Sequence, residues 1–169
     1  MSQGKFYNLT RGELTLEGVV KEIIAYVSAE PKGDYDVVVG CDSSSGETPV
    51  FPVVIVVRRL GRGGRFFVQR VRFSPKQKRF FDIHSRILQE VYLSCQVALS
   101  LKEKLFQALE KTHLQPSCQF RYIHADIGGD KETQVMIKEV VNLIRGNGFE
   151  AKIKPESYAA SVVADRFTK

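Results

Sequence analysis

Apolar positions Val19, Val20, Ile23, Ile24 and Val27 recur at spacings of one, three and four, the period of an amphipathic helix. Thr15 is its candidate cap, and Pro31 with Gly33 ends it. Three strand-like runs follow, Val37 to Asp42, Val50 to Leu60 and Arg65 to Phe73, the last two joined by the turn "GRGG". The second run is apolar on both faces, with Phe51, Val53, Ile55 and Val57 opposing Val54 and Val56, so helices must cover both sides of its sheet. In the third run Phe67, Val71 and Phe73 share one side and Arg70 and Arg72 the other, a pattern for a strand near an edge.

Asp82 to Thr112 contains neither Gly nor Pro, and Ile83, Ile87, Leu88, Val91, Cys95, Ala98, Leu101, Leu105 and Leu109 recur at helical spacing. They predict one long helix, or two with a bend, spanning about 45 Å. The segment "QFRYIHADIGGD" predicts a strand entering a glycine turn, and Thr133 to Arg145 a helix closed by "GNG". Phe149 to Ile153 reads as a short strand, and Tyr158 to Thr168 as a last helix capped by Ser157 after Pro155. Three strands in a meander, then two more each reached through a helix, predict an α/β domain. Its five-stranded mixed sheet, three antiparallel strands and then two parallel, carries helices on both faces. Residues 1–34 form a helical extension in this division and residues 35–169 the domain.

In this order, four acids stand where solvent is not their obvious destination. Asp42 ends the first strand and Asp126 the fourth; if those strands are parallel neighbours, both carboxylates meet at the carboxyl edge of the sheet, where open α/β sheets hold ligands. Glu90 interrupts the apolar run "RILQEVYLSC", and Asp165 follows the small residues Ala159, Ala160, Ser161 and Ala164, which permit close approach to a sheet. Converging carboxylates without matching bases repel one another, and the usual remedy is a hard divalent cation, Mg²⁺ or Mn²⁺. The bland alternatives are a turn cap for Asp42, an exposed helix face for Glu90 and an i,i+4 pair with Lys169 for Asp165. Asp130 competes with Asp126. His124 shares a strand face with Asp126 and, with Ser43, is an auxiliary candidate, although such a histidine is more often a hydrogen-bonded core residue.

The motifs "GCDSSSG", "HADIGGD" and "IRGNGFEAKIKPESYAASVVADRFTK" resemble the YkuK-like family of predicted ribonuclease H-like proteins, over roughly Asp36 to Lys169. That resemblance implies a ribonuclease H-like fold and phosphodiester cleavage by two divalent metals, with Asp42, Glu90, Asp126 and Asp165 as both ligands and catalytic residues. Proofreading-type exonucleases on this fold have Asp-x-Glu on their first strand. Here Ser44 stands in place of that Glu, which removes that subclass.

Charge adds a partner to the picture. Lys and Arg number 25 against 19 Asp and Glu, a net charge of +6. Arg58, Arg59, Arg62, Arg65, Arg70, Arg72, Lys76, Lys78 and Arg79 lie in one stretch without an acid, interleaved with Phe66, Phe67, Phe73, Phe80 and Phe81. The combination fits RNA, DNA or a hybrid, and Lys152, Lys154, Arg166 and Lys169 would extend the track toward the acids. A non-catalytic nucleic-acid-binding or protein-interaction module is the alternative to a nuclease. Cys41, Cys95 and Cys118 have no CxxC spacing and read as reduced thiols. No leader pattern is evident and no apolar run nears the ~20 residues of a membrane span, so a cytoplasmic location without membrane contact is expected.

Overall fold

The computed structural model describes residues 4–112 and 117–168. Its strands are β1 (Phe6–Asn8), β2 (Gly12–Leu14), β3 (Asp34–Cys41), β4 (Val50–Arg59), β5 (Gly64–Arg72), β6 (Ser117–Ala125) and β7 (Glu150–Lys152). Its α-helices are α1 (Leu16–Ser28), α2 (Ile83–Lys111), α3 (Lys131–Gln134) and α4 (Ile137–Gly146). The strands form one mixed sheet in the order β2-β1-β5-β4-β3-β6-β7. β3, β4 and β5 pair antiparallel, whereas β6 runs parallel to β3 and β7 parallel to β6, so the five expected strands take the expected directions.

The sheet has seven strands rather than five, because the chain before α1 adds a hairpin. β1 and β2 are three residues each, too short for alternation to announce them, and β1 joins β5 through Tyr7 opposite Val68. Turn chemistry holds them. Asn8 is buried, its Nδ2 donates to the carbonyl of Phe66 (2.8 Å), and its Oδ1 accepts from the N–H groups of Thr10 and Arg11. Gly12 turns the chain at φ +70°.

Both faces of β4 are covered. On one side Val53, Ile55 and Val57 join Val37, Val39 and Cys41 of β3 against α1 and α2, with Val19, Ile23, Val91, Ala98 and Leu101 in the same core. On the other, Val54 and Val56 join Val38 and Val68 beneath Ala159 and Ala164. A fully buried valine contributes about 1.5 kcal/mol or more, so the eight buried valines of β3, β4 and β5 are a large part of what closes this layer. The α2 segment is one unbroken helix, capped by the Asp82 carboxylate accepting from the N–H of Ser85 at 2.6 Å.

The C-terminal segment differs from the regular capped helix that its composition predicts. Ala159–Ala164 is a wide π-helical turn and Asp165–Phe167 a 3-10 turn. The side chain of Ser157 makes no cap; its buried Oγ has no partner. His124 takes that role from the sheet, its Nδ1 accepting the N–H of Ala159 at 3.1 Å. The close approach depends on Gly40, since a Cβ there would stand 2.7 Å from the nitrogen of Ala160. Cys41, Cys95 and Cys118 are free thiols, the first two buried. Among the described residues no helix is long and apolar enough to cross a membrane.

Candidate active site

Parallel register brings the first two acids together. Cys41 of β3 lies opposite Ala125 of β6, so the next residues, Asp42 and Asp126, leave adjacent strands side by side, about 4.8 Å apart along the hydrogen-bonding direction. Beyond them "SSSG" and "IGGD" turn the chain away, the second using Gly128 at φ +92°. Asp130 caps α3 by accepting from the N–H of Thr133 at 2.8 Å and is occupied there.

Glu90 arrives from α2 and is only 7% exposed. The hydroxyl of Ser43 donates to its Oε1 at 2.5 Å, and the N–H of Ser43 donates to Oδ1 of Asp42 at 2.8 Å, so one serine links two of the acids. Burial pushes Glu90 up to about 8; the Ser43 hydroxyl opposes this, Asp42 and Asp126 reinforce it, and Arg86 opposes it. Asp42 is pushed up to about 6, first by burial, with the charges of Asp126 and Asp165 adding to it and the Ser43 N–H and Lys154 working against it. Asp165, expected to be turned from solvent with the other three, is instead exposed, because the 3-10 turn that carries it follows the Ala159–Ala164 turn, whose alanines are buried, and itself buries none of its residues.

Asp126 divides its carboxylate. Oδ2 meets Nζ of Lys154 at 3.2 Å, while Oδ1 is buried with no hydrogen-bond partner. An acceptor in that state carries the desolvation cost of an unmade hydrogen bond. As the side chains stand, no group of three or more His, Cys, Asp or Glu among the described residues is arranged to hold a metal ion. Glu90 is turned to Ser43 and Asp126 to Lys154. The donors themselves suit a hard divalent cation: four acids, two of them held above their ordinary values by burial and by one another's charge, and one bare buried oxygen.

The auxiliary candidates have specific contacts. Ser43 bridges Asp42 and Glu90, as above. His124 is 2% exposed, caps the C-terminal segment, and packs its ring edge-on against Tyr158 at 4.7 Å. Burial, then the charges of Lys152 and Arg58, lower it to about 4.

The nine cations expected to form one track are divided between opposite ends of the β4–β5 hairpin. Val53 lies opposite Cys41, whereas Arg58 lies opposite Asp36, about 17 Å further along β4. There Arg58 pairs with Asp36 (3.1 Å), Arg59 with Glu30 (3.4 Å), and Arg65 stacks over Tyr26 (4.9 Å), with Arg62 in the turn between them. Arg70 and Arg72, opposite Pro52 and Val50, are at the acid end with Lys76, Lys78 and Arg79. Arg70 donates to the carbonyl of Phe167 at 3.2 Å, and Lys78 to Oε1 of Gln89 at 2.6 Å, next to Glu90. Lys152 lies over the ring of Tyr122 at 4.3 Å, Arg166 is exposed beside Asp165, and Lys169 lies outside the described residues.

One residue of this site escaped the sequence reading. Arg86 donates from Nη1 to the carbonyl of Ser44 at 2.8 Å, tying the loop after Asp42 to α2. Its signal was available, because it stands four positions before Glu90 and therefore on the same helix face.

A family model described as Ribonuclease H-like matches residues 18–169. The chain is 27% identical over 170 residues to "Uncharacterized protein YkuK" of Bacillus subtilis (strain 168), covering 97% of this chain and 96% of that protein. No solved structure matches it.

Proposed function

The chain belongs to the ribonuclease H-like family, and on that premise we propose that it is a divalent-metal-dependent nuclease cleaving phosphodiester bonds of RNA or DNA. Asp42, Glu90, Asp126 and Asp165 are the residues that would hold Mg²⁺ or Mn²⁺, which when bound supplies the charge that activates water and stabilises the leaving oxygen. The observation that carries the reading is the side-by-side exit of Asp42 and Asp126 from parallel strands, with one buried Asp126 oxygen unpaired. Ser43 holds Glu90 in reserve beside Asp42, and Arg86 keeps their loop against α2. Arg72, Lys76, Lys78 and Arg79 are the phosphate contacts at this end, and Lys154 beside Asp126 reaches the phosphate nearest the reaction. The free thiols fit a reducing cytoplasm.

A non-catalytic nucleic-acid-binding module is the second reading, favoured by Lys154, whose ammonium already neutralises Asp126. Cleavage of labelled single-stranded RNA, RNA–DNA hybrid and DNA with Mn²⁺ separates the two. The nuclease reading expects metal-dependent turnover that Asp42→Asn lowers by more than about 100-fold, beyond the range of outer-shell substitutions. Turnover unchanged in that variant, or none on any substrate, overturns it.

A further inference from the structure

Phe81 is an exposed aromatic in the connection between β5 and α2, and its position is built rather than incidental. Its neighbour Phe80 is buried against Phe51 and Phe73, with ring centroids 4.9 Å and 5.7 Å away, and the N–H of Phe80 donates to the carbonyl of Glu47 at 3.0 Å. On its other side Asp82 caps α2. Fixed at both flanks, the ring of Phe81 is left 74% exposed. A single exposed apolar side chain is ordinary; the company of this one is not. Lys76, Lys78 and Arg79 precede it in the same connection. A shallow cavity of about 240 Å³ opens between Gly46 and Glu47 on one side and Phe81, Ile83 and Arg86 on the other. Arg86 links that cavity to the Asp42 loop through Ser44.

We propose that Phe81 is a stacking platform for an unpaired base and that the site takes single-stranded nucleic acid, an inference that rests on the nuclease reading for its substrate class. Every base has a face that stacks on an aromatic ring, whereas in a duplex those faces are covered by neighbouring base pairs. The cations of the Ser74–Phe80 connection carry the backbone phosphates past the ring. The base enters the cavity, where the Glu47 carboxylate is an acceptor for an exocyclic amino group; the other acid there, Asp82, is engaged with Ser85. Arg86, which lines the cavity with Phe81 and holds the carbonyl of Ser44, joins the position of this base to the Asp42 loop.

Equilibrium binding tests this without catalysis. Fluorescence anisotropy in EDTA is measured with labelled single strands of about 12 nucleotides and with a blunt duplex of the same sequence. The wild-type chain binds the single strands more tightly than the duplex. Phe81→Ala weakens single-strand binding about five-fold or more and leaves duplex binding unchanged, and Phe81→Tyr restores it. Equal losses on both forms, no loss on either, or a wild-type preference for duplex overturns the proposal. Because no metal is present, a nuclease assay that fails while this pattern holds faults the catalytic reading alone.

Discussion

Near the start of β3, Asp36 meets the guanidinium of Arg58 at 3.1 Å; six residues on, Asp42 meets the N–H of Ser43 and the fields of two further carboxylates. The same strand thus presents one compensated acid and one that is not. The arginines at the compensated end, conspicuous in the sequence as an acid-free run, are answered by Asp36, Glu30 and the face of Tyr26, all from outside that run. At the other end four acids lie near one another with Lys154 as the cation paired among them, and Arg70, Arg72, Lys76, Lys78 and Arg79 lie along the same end. A surface pair such as Arg59 with Glu30 is worth about 1 kcal/mol at most, so that end is held by packing and its charges are tidy. A buried acid held above its ordinary value, as at Glu90, and an acceptor left without a hydrogen bond, as at Asp126 Oδ1, both cost stability.

The sharpest test of this contrast is pH. Asp42 and Glu90 titrate in the folded chain near 6 and 8, above their ordinary values, so the native state keeps protons that the unfolded chain has released. Their contribution is therefore fully present below about pH 4 and is lost as pH rises through those two values. In EDTA, melting temperature falls by about 5 °C or more between pH 5 and pH 8, a few kcal/mol, and Glu90→Gln removes the upper part of that fall. A melting temperature level across this interval would contradict the uncompensated state of the acid end. Mn²⁺ raises the melting temperature most at the alkaline limit if the acids hold it.

Gly40→Ala tests how the fourth acid is held. Its Cβ meets the backbone of Ala160, so the C-terminal segment must shift, at about 1–3 kcal/mol. Amide exchange across residues 158–168 accelerates while β4 and β5 remain protected, and Mn²⁺-dependent cleavage falls with it. Unchanged exchange in that segment shows that Gly40 does not govern its docking. The smallest effect belongs to the arginine end. Arg59→Gln lowers stability by less than about 1 kcal/mol and leaves nucleic-acid affinity within experimental scatter. Neutralising Lys76 and Arg79 instead reduces the salt slope of single-strand binding by about 1.4, two phosphates' worth. The reverse result would move the interface to the hairpin tip.

Much of the site was legible from local pattern. Asp42 and Asp126 each end an apolar run, and Glu90 interrupts the buried face of a long helix, so periodicity alone marks all three. Asp165 was legible as an acid behind small residues, but not the π and 3-10 turns that carry it, since those follow from His124 and Gly40 on the two adjacent strands beneath the segment. The β1–β2 hairpin was hidden by its length, and the division of the cations by the antiparallel return of β5, which sends the two halves of one basic stretch to opposite ends.

The order of strands and helices, the single long α2, and the acids that could meet were determined by the sequence, because alternation, helical period and breakers act over a few residues. Which charges are answered was decided by tertiary structure alone. An ion pair such as Arg58 with Asp36, the lone oxygen of Asp126, and the exposed ring of Phe81 depend on which distant segment arrives beside each side chain, and Coulomb energy and burial are set by that neighbour.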